Sequence, residues 1–502
     1  MKLQLVITQR ARLVAEPLAR LSHFCAYFFA EEGTVLDSKV IALQRRAVWI
    51  SCGLIVQTIT FIDISSIGAN PDWSRPEVVL FDALLPLVLT LLSFLVLGMA
   101  FRPIKLSCPT QYRATNWQRL VLLLLVPTAL AGCVLCWDTF AESFSPPRYM
   151  NDGTSLSLNA AMLLLQGQNP YADSNIVAVA QHFTIEPSWT TPLRENRFAG
   201  RLDYPSAAEL QAAFDSAQKT GDAREFESKV SYPALSFLIL VPFLFLPYHN
   251  VFPFYLLCYL LLVVLAWRAA RTEMRPWVLL LGIANVPMWT SVLGGNLDIF
   301  YSLLLVLAWL QRNSRWRSAL LLGLALASKQ IAWFFLPFYI ILIWRTKGWK
   351  EALRRTLIAG GLMMAINLPF LLWNPQVWLA GILAPVVDPM FPLGIGIINL
   401  SIAHVFPFLP FLLYPLLEYG TLCCSFVWYW WICRRHPEAA MLLAVIPLFF
   451  AWRSLPSYFC CTAYPLFVIL VARPPTLKRA SLPIPIHEPI REEVSISTSE
   501  RR

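Results

Sequence analysis

The chain has 502 residues, of which 57% are hydrophobic and 14% are charged, and its mean hydropathy is +0.57. Soluble domains average about 45–50% apolar and about 25% charged residues, so this composition excludes an ordinary soluble enzyme and predicts a helical membrane protein. The 40 Lys and Arg exceed the 30 Asp and Glu and give a net charge of +10. In a membrane protein this excess is typical of basic cytoplasmic loops, so no nucleic-acid partner is predicted.

Residues 1–46 form a basic segment that precedes the first apolar run. They hold seven Lys and Arg and lack the short apolar core and small-residue cleavage site of a signal peptide, so we predict a cytoplasmic N-terminal segment. Three transmembrane helices are predicted within 47–137, because apolar runs of membrane-crossing length occupy 47–64, 78–100 and 120–137.

The second membrane region, 251–472, contains seven further candidate spans and one broken stretch. The seven spans are predicted at 251–267, 277–293, 297–311, 356–373, about 406–432, 439–452 and 457–472. Residues 318–344 are too long for one span, and we interpret them as a hairpin of two helices broken at Lys329. The predicted fold class is an all-α membrane protein with about 12 transmembrane helices and both termini in the cytoplasm, which puts the basic loops on one side.

One large polar loop, 138–231, follows the third span and is predicted to face away from the cytoplasm. It carries twelve Asp and Glu against seven Lys and Arg, and long loops in compact proteins commonly have a function. Tyr232–Pro247 contains internal prolines and is interpreted as a juxtamembrane helix, so the outer region extends over 138–250. Residues 473–502, with five prolines, are predicted to be a disordered cytoplasmic tail.

The segment from Asn151 to Tyr171 is the most informative part of this loop. Its pattern predicts a helix with an acidic start at Asp152, a stop at Gly167 and an Asn-Pro-Tyr turn. Asp152 either caps this helix, or acts as a general base that deprotonates an acceptor hydroxyl, or does both. Asp138, just after the third span, is either the alternative base or an ordinary carboxylate at the membrane interface.

Several motifs, in order along the chain, resemble those of glycosyltransferase family 87. The run from Asp152 to Tyr171, which ends in Gly-x-Asn-Pro-Tyr, is similar to the first outer loop of that family. The other similar elements are Tyr232-Pro233-Ala234-Leu235, Gly294-Gly295-Asn296-Leu297-Asp298, Ala327-Ser328-Lys329-Gln330, and Arg453-Ser454 with Tyr458-Phe459. The likeness covers about 150–460, and the spans 47–64 and 78–100 precede it.

The resemblance implies a type C glycosyltransferase (GT-C) fold and an integral-membrane enzyme with Asp152 as the base. The enzyme would transfer a hexose, with mannose as the expected sugar, from a polyprenyl-phosphate donor to a lipid-linked or outer-face acceptor, with inversion. The expected location is the plasma (inner) membrane, with the active site facing away from the cytoplasm. The residues that would bind substrate are Asn169, Tyr171, Tyr232, Asn296 and Asp298.

Three basic residues are candidates for binding the donor phosphate, each with a structural alternative. Lys329 at the hairpin break either meets the phosphate or extends its amine to the interface. Arg453 either binds this anion or forms an interfacial ion pair, and His404 either contacts phosphate or is a capping or core residue. Asp298, which begins a span, either binds sugar hydroxyls or caps its helix. The aromatic candidates for stacking on sugar are Trp189, Phe198 and Tyr204.

No cofactor is predicted, because a lipid-phosphate donor already carries its leaving group and the chain has no Gly-rich nucleotide-binding loop. No His or Cys ligand set indicates a fixed metal site, although Asp138 and Asp152 are able to bind a divalent ion. The predicted partners are the donor, the lipid or glycan acceptor and membrane lipids. Two other functions stay open at this point, a transporter of lipids or polyisoprenoid saccharides and an inactive membrane scaffold.

Overall fold

The structure is a computed structural model that describes residues 34–35, 38–63, 73–102, 111–112, 114–147, 151–183 and 185–472. Most of the predicted N-terminal segment 1–46 and all of the predicted tail 473–502 lie outside these residues. The described residues are predominantly helical, in agreement with the predicted all-α class.

Five helices are long and apolar enough to cross a membrane: Val40–Ile62, Pro76–Met99, Asn116–Glu142, Phe252–Ala269 and Trp349–Trp373. A sixth crossing is formed if Thr272–Ile283 and Val286–Leu293, which meet at a bend of 50°, are one span. These helices agree with a membrane protein. The predicted count of about twelve crossings and the GT-C arrangement stay predictions.

The remaining elements divide the chain into many short helices. The helices of the first half are Ser38–Asp63, Pro76–Val78 and Leu85–Met99 joined by a π-helical turn, Asn116–Glu142, Asp152–Leu165, Ile176–His182, Ala207–Thr220, Leu235–Leu238 and Phe252–Ala269. Those of the second half are Arg275–Ile283, Val286–Leu293, Asp298–Leu310, Arg315–Leu326, Leu336–Lys347, Trp349–Trp373, Pro375–Val387, Ile398–Ile402, Leu413–Ile432, Ala440–Leu443, Ser457–Cys460 and Ala463–Val471. Proline lies in the first turn of several of them, where its missing N–H costs no hydrogen bond.

The helix Asp298–Leu310 lies at the centre of the fold, whereas Asn116–Glu142 lies at its edge. Nearly every residue of Asp298–Leu310 is buried, as expected for a helix that is apolar all round and surrounded by other helices. In contrast, only 17% of the most apolar 18-residue stretch of Asn116–Glu142 is buried within the protein. Its exposed apolar side chains, such as Leu123 and Leu130, fit contact with lipid.

The hairpin 318–344 is broken at Lys329, as the sequence predicts. The helix Arg315–Leu326 ends before it, and the 3-10 helix Gln330–Phe335 and the helix Leu336–Lys347 follow. Lys329 itself has extended backbone angles, φ −155° and ψ 141°. The predicted juxtamembrane helix Tyr232–Pro247 is not one helix, because its prolines divide it into Leu235–Leu238 and short 3-10 turns.

Two short strand pairs complete the fold. Thr34–Val35 pairs antiparallel with Gln111–Tyr112, and Leu393–Gly394 pairs parallel with Arg453–Ser454. Gly394 has a φ of +135°, and a Cβ atom there would lie 2.2 Å from the carbonyl oxygen of Ser454. Only glycine allows this close approach, which fixes the backbone that carries Arg453.

Candidate active site

The helix Asp152–Leu165 is anchored to the turn before the central helix. Asn151 is its N-cap: the side-chain oxygen accepts the Thr154 N–H at 2.8 Å, and Nδ2 donates to the Gly294 carbonyl at 2.6 Å. The Thr154 hydroxyl donates to the Gly295 carbonyl. The cap is therefore Asn151 and not Asp152, so the Asp152 carboxylate is not used to satisfy the helix end.

Asp152 lies half-buried at the first position of this helix, near Thr191. Burial raises the pKa of the Asp152 carboxyl, while the nearby polar groups of Thr191, the charge of Arg453 and the backbone of Gly153 oppose that rise. The result is a carboxylate that is desolvated but still supported in its charged form.

A buried ion pair lies at the hairpin break. Lys329 Nζ is 2.6 Å from Asp298 Oδ1, and the two side chains are 6% and 0% exposed. Asp298 is the first residue of the central helix, whose positive end favours a carboxylate, but its side chain does not cap that helix. Within the described part of the chain, Asp298 Oδ2 is buried without a hydrogen-bond partner. The amine of Lys329 is thus already neutralised by a neighbour in the protein.

Tyr232 joins the ion pair to Asp152. Lys329 Nζ lies 5.1 Å from the centre of the Tyr232 ring. A Cβ atom on Gly153 would be 3.1 Å from the Tyr232 hydroxyl, so glycine next to Asp152 lets the ring approach. The charged groups that interact electrostatically with the Tyr232 phenol are Lys329, Asp298, Asp152 and Arg453.

Two further tyrosines border the same charges. Tyr204 interacts electrostatically with Arg453 and Asp152, and Tyr458 interacts with Arg453 and Lys329. Burial raises the pKa of the Tyr204 phenol to about 12, so it stays protonated and able to donate a hydrogen bond. We call Asp152, Asp298, Lys329, Arg453 and these three tyrosines the charged cluster.

Arg453 is the least satisfied cation of this cluster. Its Nη1 donates to the thioether sulfur of Met390 at 3.0 Å, and a thioether is a weak acceptor. Among the described residues, Arg453 has no ion pair within 4.0 Å. Its planar guanidinium therefore keeps donors for an anion such as phosphate.

Three predicted site residues lie apart from this cluster or at its rim. Asp138 is inside the helix Asn116–Glu142 and half-buried, and His404 is exposed with its Nε2 3.6 Å from Asp203 Oδ1. In the described chain neither makes a hydrogen bond or ion pair with Asp152 or Lys329. Asn296 is half-buried and lies in the turn before the central helix, which is hydrogen-bonded to the start of the helix that carries Asp152.

The Asn-Pro-Tyr turn supports the cluster from behind. The Asn169 side-chain oxygen accepts the Tyr171 N–H at 3.0 Å, and the Asn169 N–H donates to Asp173 at 2.8 Å. The buried Tyr171 hydroxyl donates to the Tyr232 carbonyl at 2.8 Å. The Tyr171 hydroxyl is thus engaged inside the protein, where it holds the backbone of Tyr232. Of the aromatic candidates, Trp189 is exposed and Phe198 packs in the core, so Tyr204 is the one at the cluster.

A second group of titratable side chains lies beside Thr191. Glu227 is 4% exposed, its N–H donates to the Thr191 carbonyl at 2.8 Å, and its Oε2 has no partner among the described residues. Lys229 pairs with Asp388 at 2.6 Å. Burial, followed by the charge of Asp388, raises the pKa of Glu227 to about 8.

Glu227→Gln is expected to make the stability of the protein less dependent on pH. Because folding raises the pKa of Glu227 from 4.5 to about 8, its contribution is complete below pH 4.5 and is lost as the pH rises to about 8. The loss is at most about 1.4 kcal/mol per pH unit. Glutamine mimics the protonated acid, so the variant should exceed the wild type in unfolding temperature near the upper end of this window.

The measurement is the thermal unfolding of the purified protein in detergent, from about pH 5 to about pH 9. Glu225→Gln is the matched control, since Glu225 is a half-buried neighbour on the same segment. Identical pH curves for the wild type and Glu227→Gln would show that Glu227 ionises normally.

Sequence reasoning missed Thr191 and the partner of Lys329. Thr191 lies in an irregular loop segment without a motif, and Asp298 precedes Lys329 by 31 positions. Among the described residues, no group of three or more His, Cys, Asp or Glu side chains is arranged to hold a metal ion.

Comparison with known proteins identifies one family that resembles part of the chain. Residues 231–452 match the sequence profile of Glycosyltransferase family 87, a region that contains Tyr232, Asp298 and Lys329 and ends directly before Arg453. No curated protein and no solved structure matches the chain. The resemblance drawn from the motifs is confirmed over this region, and the protein is a glycosyltransferase.

Proposed function

We propose that this glycosyltransferase transfers one hexose, with mannose as the expected sugar, from a polyprenyl-phosphate donor to a lipid-linked or outer-face acceptor, with inversion. The observation that carries the proposal is that one charged cluster contains both a desolvated carboxylate that does not cap its helix, Asp152, and an under-satisfied guanidinium, Arg453. Such a transfer needs these two groups, a base for the acceptor and a cation for the leaving phosphate.

Asp152 is the proposed base. Its helix is capped by Asn151, so its carboxylate is available, and desolvation makes it a stronger proton acceptor than an exposed aspartate. A carboxylate with this environment removes the proton of the acceptor hydroxyl as that oxygen attacks the anomeric carbon. The bond to the phosphate breaks on the opposite face of the sugar, so the configuration inverts.

Arg453 is the proposed direct contact of the departing phosphate. A guanidinium donates two parallel hydrogen bonds to phosphate oxygens, and Arg453 uses one donor on a sulfur atom that phosphate would replace. Lys329 is proposed to act beside it, with its charge shared with Asp298. His404, exposed near Asp203, is proposed at the rim of the donor site, and the three tyrosines are proposed to contact the sugar.

The proposed location is the plasma (inner) membrane, with the large loop facing away from the cytoplasm. The loops that hold Arg102, Arg119, Arg312, Arg345 and Arg434 then all lie on the cytoplasmic side. The charged cluster combines residues of the large loop with residues at span ends, which is where a lipid-anchored phosphate would meet the protein.

Purified protein in liposomes, given a panel of radiolabelled donors, tests this function. Polyprenyl-phosphate mannose, polyprenyl-phosphate glucose and the matching nucleotide sugars are each offered with a membrane lipid extract as acceptor. We expect transfer from a polyprenyl-phosphate sugar, with release of one carrier phosphate per sugar. Arg453→Met should reduce this rate by about 10²–10³-fold and Arg453→Lys by less. Transfer from nucleotide sugars alone, or full activity of Arg453→Met, would contradict the proposal.

A further inference from the structure

Two N-terminal helices outside the family-matched region pack against the segment that carries Arg453. In the second of them, Leu85–Met99, the Phe94 ring lies edge-on to Phe449 and Phe459, with ring centres 6.2 Å and 5.5 Å apart. Phe449 precedes Arg453 in the chain and Phe459 follows it. This helix therefore contacts the chain on both sides of the proposed phosphate contact.

The first of these helices, Ser38–Asp63, contributes a buried amide, Gln57. The residue is 7% exposed, and its Nε2 donates to the Phe459 carbonyl at 3.3 Å. Among the described residues, Gln57 Oε1 has no hydrogen-bond partner. A buried amide oxygen without a partner is unfavourable, so this position calls for a further donor.

A small cavity lies between Gln57 and the segment after Arg453. The space open to the centre of a water molecule is about 20 Å³, and one water needs at least about 10–15 Å³. The apolar wall of the cavity includes Pro456 and Phe459. The polar wall adds three hydroxyl groups that donate to carbonyls of their own helices, so that their oxygens still accept hydrogen bonds: Thr60, Thr90 and Ser93. The cavity thus offers a water the about two to four polar partners that a buried water normally has.

We propose that this cavity binds a water molecule, which donates to Gln57 Oε1, and that Gln57 is a positioning residue for Arg453. The inference rests on the proposed role of Arg453 as the contact of the donor phosphate. The strand Arg453–Ser454 is held on one side by its pairing with Leu393–Gly394. Beyond the strand, the chain is held at Phe459 by the Gln57 amide and the Phe94 ring. Gln57 and the water therefore act on the guanidinium through the backbone and do not touch the donor.

Gln57→Met tests this role, because methionine has nearly the same length and volume but makes no strong hydrogen bonds. The Phe459 carbonyl and the water then lose their partner, and Arg453 is held less precisely. We expect the KM for the donor to rise about 3–10-fold, the loss that corresponds to about one net hydrogen bond, while the KM for the acceptor is unchanged. The measurement is the initial rate of transfer by the full chain in liposomes, with the polyprenyl-phosphate sugar that gives transfer.

Gln44→Met is the matched control on the same helix. Gln44 is 1% exposed, and its Oε1 accepts a hydrogen bond from the indole N–H of Trp277, which is not part of the charged cluster. Both variants lose a buried amide hydrogen bond, so both should unfold at a lower temperature, but only Gln57→Met should raise the donor KM. An equal rise in both variants, or a wild-type donor KM in Gln57→Met, would overturn the role of Gln57.

A double-mutant cycle shows whether Gln57 acts through Arg453. In Arg453→Met no guanidinium is left to position, so the addition of Gln57→Met should not weaken donor binding further. The same weakening by Gln57→Met in both backgrounds would assign its effect to another part of the protein and overturn the proposal. Cryo-electron microscopy at a resolution that shows ordered waters tests the cavity itself: density is expected there in the wild type, and an empty cavity would contradict the water site.

Arg453→Met also separates this inference from the function on which it rests. If Arg453→Met keeps the wild-type transfer rate, the proposed function fails together with the inference. If Arg453→Met is impaired while Gln57→Met keeps the wild-type donor KM, the proposed function stands and only the role of Gln57 is wrong. Gln57→Asn, which is one methylene shorter and should raise the donor KM in the same way, covers the case in which the methionine variant does not fold.

Discussion

Asp152→Asn is expected to lower the rate of sugar transfer by about 10²–10⁴-fold, the usual contribution of a general base. Asparagine has nearly the same shape as aspartate but does not accept the proton of the acceptor hydroxyl. The contacts of the donor phosphate lie on Arg453 and are unchanged, so donor binding should persist. The measurement is the initial rate of transfer, together with a binding assay for the polyprenyl-phosphate sugar.

Folding of this variant should be preserved or improved. Burial raises the pKa of the Asp152 carboxyl, so the folded protein loses stability as the pH rises through that raised value. Asparagine carries no charge and removes this penalty at neutral and higher pH. A rise in unfolding temperature accompanied by loss of activity is the pattern of a residue retained for function at the expense of stability.

Asp138→Asn is the matched control, and it tests the alternative base directly. Asp138 lies in the helix Asn116–Glu142 and, among the described residues, makes no hydrogen bond or ion pair with the charged cluster. We expect near wild-type transfer. The opposite pattern, an inactive Asp138→Asn and an active Asp152→Asn, would assign the base to Asp138 and remove the main support for the proposed mechanism.

The sequence predicted those parts of the site that depend on local signals. The acidic helix start at Asp152 and the break at Lys329 both follow from residue patterns over a few positions, and both are present. The cap was predicted wrongly as Asp152, since the adjacent Asn151 is of a residue type that favours that position equally. Only the backbone geometry decides between them.

Partners that are distant in sequence were not predictable in this way. Nothing near Lys329 in the chain identifies Asp298 as its partner, and the proximity of Thr191 to Asp152 depends on how the segment 190–194 is bonded to 225–227 and 389–390. Such contacts arise from tertiary packing, which has no period or local motif. The motif resemblance did find Tyr232 and Arg453, since their sequence neighbours form recognisable elements.

The number of membrane crossings is the least predictable part of the fold. Apolar runs such as 439–452 and 457–472 look like spans, but the structure divides them into pieces as short as Ala440–Leu443 and Ser457–Cys460. A helix needs about 20 residues to cross about 30 Å of hydrocarbon. Short apolar helices of this kind are compatible with a membrane protein where other helices surround them, so composition alone does not distinguish a span from a buried half-helix.

The buried ion pair of Lys329 and Asp298 gives the largest expected effect on stability. Asp298→Asn leaves an ammonium group uncompensated at a position that is 6% exposed, and Lys329→Met leaves a carboxylate that is 0% exposed. Removal of one partner of a buried pair costs about 3–5 kcal/mol, because the remaining charge is desolvated without compensation. We expect each single variant to unfold at a markedly lower temperature in detergent, or to be recovered in low yield.

The double variant Asp298→Asn/Lys329→Met should regain much of this stability, because no charge is then left buried. Its activity decides what Lys329 does. If Lys329 supports Tyr232 and acts on the donor phosphate only through its long-range charge, the folded double variant keeps measurable transfer with a normal KM for the donor. If Lys329 contacts the phosphate, the double variant is folded but has a raised donor KM and little transfer. Single variants as stable as the wild type would mean that Lys329 and Asp298 are not a buried pair. The charged groups of the proposed site would then be Asp152 and Arg453 alone.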